Sequence, residues 1–263
     1  MLTVVNQFKV SFLSIKYAIM REMTNKTSFI LNIVFMILNN ACFLIQWKIL
    51  YSINKNIGGF TFNQVILLWG MACLTFGISR FLFKKSFKLS DEINSGKLDT
   101  LLVAPKNILI SFITQDVDIS CIGDIIYAYI MLAIYGITLK NILLYTLFGI
   151  LGALIITSLA IILGSLSFWL DKSDMIADSI NNLMISFSTY PSDIFKKTVK
   201  VILYTIVPIG LSNYIPVNLI IKFNIKLFLV VILSTIFFVS FSFIIFYKGL
   251  KRYSSSNLMS ARI

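Results

Sequence analysis

Long apolar runs, each bordered by charged or turn-forming residues, constrain this chain more than any other feature of its sequence. A helix needs about 20 mostly apolar residues to cross the hydrocarbon core of a bilayer. Runs of that length recur along the chain, and only 13% of its 263 residues are charged. A water-soluble domain carries roughly 25% charged residues on average. The sequence therefore predicts an all-α integral membrane protein.

The runs predict six transmembrane helices in a single domain. The predicted segments are an interfacial helix at 1–27, spans at 28–50, 62–83, 119–137, 141–170 and 228–247, a fifth span within 177–221, a polar region at 84–118 and a tail at 248–263. With the N-terminus in the cytoplasm, 15 of the 23 Lys and Arg residues lie on the cytoplasmic side. Cytoplasmic loops normally carry such an excess of positive charge. We therefore expect both termini in the cytoplasm.

The first segment is predicted to be an amphipathic helix that lies along the membrane surface. Its apolar residues recur at steps of three and four, which is the spacing of one helical face. They are Val5, Phe8, Phe12, Ile15 and Ile19. Lys9 and Lys16 lie seven residues apart on another stripe, and they interrupt the apolar run that a signal peptide would need.

The fifth span has two interpretations. Hydropathy alone selects 199–221, although Pro208 and Pro216 interrupt this run. Alternatively, a short helix at 178–190 crosses the membrane, and 192–216 forms a broken re-entrant hairpin in the outer leaflet. Non-helical backbone at membrane depth is tolerated only where protein or a watery cavity covers it. The prolines fit either arrangement.

Several classes of chemistry are excluded by residue usage. The chain has no His, so it cannot form a Ser-His-Asp triad or an HExxH zinc site. Cys42, Cys73 and Cys121 are widely spaced inside apolar runs, which predicts neither a disulfide framework nor a CxxC site. The phosphate-binding pattern GxxxxGK[ST] is missing, so ATP would have to be bound by another polypeptide. We expect no cofactor, and no nucleic acid partner because the basic residues lie between apolar runs.

The polar region after the second predicted span contains two short predicted helices. Ser90 is a good N-cap for the first of them, with Asp91 and Glu92 in the first turn and Gly96 at its end. The second helix covers 99–103, and Pro105 closes it. Together they predict a rigid cytoplasmic knob.

This region resembles the loop after the second span in ABC-2-type transporter permeases. In one branch of that family the pattern runs Ile, Ser-Gly, Leu-Asp, Leu-Leu, Pro and Asn. The matching residues here are Ile93, Ser95-Gly96, Leu98-Asp99, Leu101-Leu102, Pro105 and Asn107. A second similarity lies in the Pro-punctuated segment before the last span, which contains Tyr190-Pro191, Pro208 and Tyr214-Ile-Pro216.

The resemblance implies a permease subunit of an ATP-driven exporter in a bacterial cell membrane. It implies a homodimer or heterodimer of permeases that receives energy from two copies of a separate ATP-binding subunit. In the family the knob is a coupling helix, and the matching contact residues are Glu92, Gly96, Asp99, Leu102 and Pro105. The family also favours the re-entrant hairpin, which would place Lys196, Lys197 and Lys200 outside the cell, against the charge rule.

A candidate polar site lies within the spans at Asp124, Asn39 and Asn40. Ionisable residues inside a membrane are functional candidates by default. Asp124 lies near the start of its span, where water or Arg80 could satisfy it, so a structural role competes with a role in substrate or proton binding. The Asn side chains are candidates for interhelical hydrogen bonds.

Two other functions were weighed against the permease. An ion-coupled secondary carrier usually needs paired charges near the bilayer midplane and often has inverted repeats, whereas this chain offers Asp124 and no visible repeat. An integral membrane enzyme is disfavoured because the chain has no His and no GxSxG motif.

Overall fold

The computed structural model describes residues 2–170 and 173–253, and these residues are organised as helices. The predicted tail from 254 onward lies outside the described residues. The twelve α-helices of the described part are α1 Leu2–Glu22, α2 Lys26–Ile53, α3 Phe62–Phe83, α4 Leu89–Asn94, α5 Asp99–Leu102, α6 Ile108–Ile113, α7 Cys121–Tyr135, α8 Leu139–Ser165, α9 Ser173–Ser188, α10 Lys197–Thr205, α11 Ile215–Ile221 and α12 Ile225–Leu250.

Among the described residues, four helices are long and apolar enough to cross a membrane: α2, α3, α8 and α12. The helix α7 is apolar but shorter, and α10 and the segment that contains α11 form a bent pair. The chain is therefore a multi-pass membrane protein. Two helices match predicted segments closely, since α3 coincides with 62–83 and α7 is two residues shorter at each end than 119–137.

A central bundle of α3, α7, α8 and α12 contains most of the buried core. In α3, 72% of the most apolar stretch is buried inside the chain, and the same fraction holds for α8. Small residues on α8 allow this close approach, because a Cβ added to Gly149 would lie 2.4 Å from Leu74 of α3. Ala153 and Ala160 on the same stripe are buried too. The stripe of small residues therefore packs within the subunit.

The predicted span over 199–221 is not one straight helix. The helix α10 and the segment Gly210–Ile221 meet at an angle of 81°. Pro208 lies at the bend. A proline interrupts a helix because it has no N–H for the helical hydrogen bonds and its ring clashes with the preceding turn. The segment Gly210–Tyr214 is a single π-helical turn that leads into α11, where Pro216 occupies the first turn. The bend excludes a single straight span, and it fits both a broken span and a re-entrant hairpin.

The two ends of the bundle carry different elements. The hairpin end carries α10, α11 and the α2–α3 connection, and the knob end carries α4, α5 and α6. The helix α9 runs between them. At the knob end, the hydroxyl of Ser173 is 3.1 Å from that of Ser90. At the hairpin end, Tyr214 Oη donates to the backbone oxygen of Phe187 at 2.6 Å.

The N-terminal helix α1 attaches to the knob end through polar contacts. Gln7 Nε2 donates to Ser111 Oγ at 3.2 Å, and the backbone N–H of Asn107 donates to Gln7 Oε1 at 3.0 Å. The predicted apolar stripe divides: Val5, Phe8 and Phe12 are exposed, whereas Ile15 and Ile19 are partly buried against a small apolar cluster. The exposed part is free to enter lipid, as an interfacial helix requires.

Candidate functional site: the knob and an intramembrane cavity

The knob has a hydrophobic core of its own, which is shared with the bundle. Leu89, Ile93 and Leu98 pack with Leu109 and Phe112 of α6. Two further members come from the spans, namely Ile161 of α8 and Phe246 of α12. A Cβ added to Gly164 of α8 would lie 2.7 Å from Leu89 Cβ. The knob is therefore fixed to the ends of two long helices.

The two short helices of the knob occur where they were predicted, but the predicted N-cap is wrong. The helix α4 begins at Leu89, two residues earlier than predicted, and its cap position is Lys88 without a side-chain hydrogen bond. The Ser90 hydroxyl contacts the hydroxyls of Ser167 and Ser173. Its partners lie across the fold, and a sequence-local capping rule cannot anticipate them.

Glu92 and Gly96 hold the knob together from within. Glu92 is only 8% exposed, and its carboxylate accepts a hydrogen bond from Lys85 Nζ at 2.7 Å. Lys97 Nζ lies 4.0 Å from the same oxygen. Gly96 has φ +70°, a conformation that L side chains rarely adopt, and it turns the chain between α4 and α5. These two predicted contact residues therefore shape the surface.

Asp99 links the knob to the end of the last helix. Tyr253 Oη donates to Asp99 Oδ1 at 2.8 Å. The Tyr253 ring also packs edge-on against Phe168, at 6.1 Å between ring centroids. Burial and the adjacent Asp99 carboxylate raise the pKa of the Tyr253 phenol above its usual range, so the phenol stays protonated and donates. Tyr253 lies outside every sequence motif, and nothing in the sequence identified it.

Leu102, Val103 and Pro105 form the exposed surface of the knob. Val103 is 87% exposed and Leu102 is 43% exposed. Pro105 is exposed beside them. Apolar side chains held in the open by a packed support are typical of a contact surface for another protein. Of the five predicted contact residues, Leu102 and Pro105 are the two that present their side chains outward.

The predicted intramembrane residues meet in one place. Asn40 Nδ2 of α2 donates to Asp124 Oδ1 of α7 at 2.6 Å. Cys73 Sγ of α3 lies 3.6 Å from Asn40 Oδ1, so three helices join here. Arg80, one of the expected partners of Asp124, interacts electrostatically with its carboxylate. The Arg80 guanidinium also lies 5.2 Å from the centroid of the Phe87 ring.

A cavity of about 460 Å³ opens beside this cluster, between α2, α3, α7 and the end of α9. Its polar lining includes Asn39, Asn40, Arg80, Asp118, Ser120 and Asp124. Its aromatic lining comprises Phe43, Trp69, Phe76 and Tyr190. The sequence did not predict that the aromatic residues or Asp118 would lie beside Asp124, and Tyr190 was named only for its place before Pro191.

The family assignment follows from a comparison of the whole chain with known families. The family described as "ABC-2 family transporter protein" matches residues 37–257, which is more than half of the chain. The chain belongs to the ABC-2 transporter family. Among curated proteins and solved structures, none matches it. The match includes the knob, the cavity and the bent hairpin, and it identifies the chain as an ABC transporter permease, a membrane transport subunit.

Proposed function

We propose that this permease exports its substrate with energy from a separate ATP-binding subunit that docks on the knob. The observation that carries the proposal is the knob itself: an apolar exposed tip on a support whose core includes Ile161 of α8 and Phe246 of α12. A force applied to Leu102 and Val103 would reach two long helices through close packing. That arrangement suits a subunit that converts motion of a partner into a change in its own helices.

The proposed orientation places the knob end in the cytoplasm. Basic residues cluster there, and they are Lys84, Lys85, Lys88, Lys97 and Lys106. The exposed apolar face of α1 lies at the same end and suits the inner membrane surface. At the hairpin end, Lys200 forms an ion pair with Asp193. The Asp193 carboxylate thereby neutralises one of the Lys residues that the positive-inside rule disfavours on the outer side.

The proposed complex has six spans per permease, with α9 as the fifth and α10–α11 as a re-entrant hairpin. It contains two permeases, identical or different, and two copies of the ATP-binding subunit in a bacterial cell membrane. The helix α9 has 16 residues and is therefore about 24 Å long, which is shorter than the hydrocarbon core of about 30 Å. Its flanking residues would have to complete the span. Membership of an ABC family favours ATP over an ion gradient as the energy source.

The docking surface can be tested by charging its tip. In the complex purified with its natural partners, Leu102→Asp is expected to abolish substrate-stimulated ATP hydrolysis and transport while the permease still inserts and folds. The matched control is Ile53→Asp, which changes an exposed apolar residue at the hairpin end. Normal transport by Leu102→Asp, or a permease that moves substrate on an ion gradient without any ATPase, would contradict the proposal.

A further inference from the structure

We propose that the cavity beside Asp124 is a binding site for a lipophilic cation within a single permease subunit. This inference deepens the proposed function by naming a substrate class, and it rests on that function only for the step of export. Binding itself needs no ATP-binding partner.

The charge of the cavity selects for a cation. Its lining contains two carboxylates, Asp118 and Asp124, and one guanidinium, Arg80. Asp124 accepts a hydrogen bond from the Asn40 amide, and it interacts electrostatically with Arg80. A carboxylate removed from water is costly unless a charge or several hydrogen bonds compensate it. One guanidinium cannot balance two carboxylates, and a bound monocation would balance the second one.

The walls of the cavity suit a cation with apolar substituents. Phe43, Trp69, Phe76 and Tyr190 present aromatic rings to it. Aromatic faces attract cations, and the attraction is larger where water is excluded. The volume of about 460 Å³ lies within the range of sites for drug-sized ligands. A hydrophilic cation would leave these apolar walls unused.

The helix α2 gives the site a route to the bilayer. Only 6% of the most apolar stretch of α2 is buried inside the chain, whereas its neighbour α3 is largely buried. Its residues Phe43 and Asn40 nevertheless form one wall of the cavity. A wall that the rest of the chain holds so lightly can move aside for a ligand that partitions into lipid.

The test uses tetraphenylphosphonium, a lipophilic monocation, with the full-length permease in nanodiscs of phosphatidylcholine. We expect saturable binding by equilibrium dialysis above that of empty nanodiscs. Tetraphenylborate has nearly the same shape and the opposite charge, and it is expected not to displace the bound cation. Binding that does not saturate, or displacement by tetraphenylborate at equal concentration, would overturn the proposal.

Variants locate the site. Asp124→Asn keeps the shape of the side chain, and we expect it to weaken tetraphenylphosphonium binding at least tenfold, while Asp124→Glu retains binding. Asp178→Asn removes the same charge from an exposed position of α9 outside the cavity and is expected to change nothing. Should Asp124→Asn not fold, Asp118→Asn carries the same test with a severalfold loss expected. Equal binding by wild type and the cavity variants refutes the site.

The outcomes separate this inference from the proposed function. Leu102→Asp is expected to bind tetraphenylphosphonium as wild type does, because the knob tip lies away from the cavity. If that variant binds the cation and still transports normally, the docking proposal fails and the cavity stands. If Leu102→Asp is uncoupled while wild type binds no cation, the cavity proposal alone fails.

Discussion

The helices α8 and α2 are both long and apolar, but they differ in how much of their surface the rest of the chain buries. In α8, 72% of the most apolar stretch is buried inside the subunit, whereas in α2 the fraction is 6%. Small residues explain part of the difference, since Gly149 and Gly164 bring α8 against α3 and the knob. Hydropathy alone does not distinguish the two helices, since both are apolar enough to cross a membrane. Their packing does: α8 belongs to the buried centre of the bundle, whereas α2 is a cavity wall that the rest of the chain covers very little.

The largest effect is expected where the buried centre meets the knob. Gly164→Leu would drive a side chain into Leu89, whose Cβ lies 2.7 Å from the position of an added Cβ. Overpacking of this kind costs about 3 kcal/mol of folding stability. Thermal unfolding of the purified permease in detergent measures the loss, with the smaller Gly164→Ala as an intermediate case. An unchanged midpoint for Gly164→Leu would show that the knob can shift freely on α8.

Removal of the buried carboxylate in the knob is expected to cost less. Glu92→Ala leaves Lys85 without the 2.7 Å partner that it has in the native structure. A hydrogen bond to a charged group contributes about 2 kcal/mol, because the remaining group must be desolvated alone. Asp91→Ala, which removes the neighbouring exposed carboxylate, is the control in the same unfolding measurement. Equal losses in the two variants would contradict the assigned role of Glu92.

A clash on the cavity wall formed by α2 is expected to move this helix rather than unfold the protein. A Cβ added to Gly123 of α7 would lie 2.5 Å from the backbone oxygen of Ile33. Because the obstructing atom belongs to the backbone, α2 has to shift away from α7 as a whole, and we expect Gly123→Leu to open the cavity at a cost of about 2 kcal/mol. Maleimide labelling of the buried Cys73 and Cys121 should accelerate.

Ala133→Leu, at an exposed position of the same helix, is the control for this labelling. Unchanged labelling together with a large loss of stability in Gly123→Leu would show that α2 is held as firmly as α8. The contrast between the two helices would then fail.

The smallest effect is expected from the contact between the knob and Tyr253, which follows α12. Tyr253→Phe removes the hydrogen bond to Asp99 and keeps the ring against Phe168. Tyr253 and Asp99 are both partly exposed, so water can replace the lost partner, and we expect a loss of about 1 kcal/mol. The same unfolding measurement reports the loss, and Tyr17→Phe, at an exposed position of α1, is the control. Equal midpoints for Tyr253→Phe and wild type would show that water replaces Asp99 as the partner of this hydroxyl.

Much of the helical architecture could be predicted from the sequence, because apolar runs and prolines act locally. The helix at 62–83, the two helices of the knob and the break at Pro208 follow from the length of the apolar runs and from the backbone chemistry of glycine and proline. Family membership was also readable, since the residues from Ile93 to Asn107 are contiguous in the chain. A motif of neighbouring residues can be recognised without the structure.

The contacts between distant segments could not be predicted. Asp124 and Asn40 were both singled out, but nothing in the sequence predicts that the Asn40 amide of α2 donates to the Asp124 carboxylate of α7. The burial of Glu92 was equally invisible, because its partner Lys85 belongs to a basic cluster that would normally be solvated. Such pairings depend on helix rotation and depth, which hydropathy does not fix.

The bond between Tyr253 and Asp99 has a consequence for the order in which the protein is made. The two residues are 154 positions apart, so the ribosome must complete α12 before the bond can form. Phe246, which belongs to the core of the knob, arrives equally late. The surface proposed to meet the ATP-binding subunit is therefore finished only after the final helix is inserted. A chain stalled before that point would present an incomplete knob. The ATP-binding subunit would then assemble only with permeases whose synthesis has passed α12.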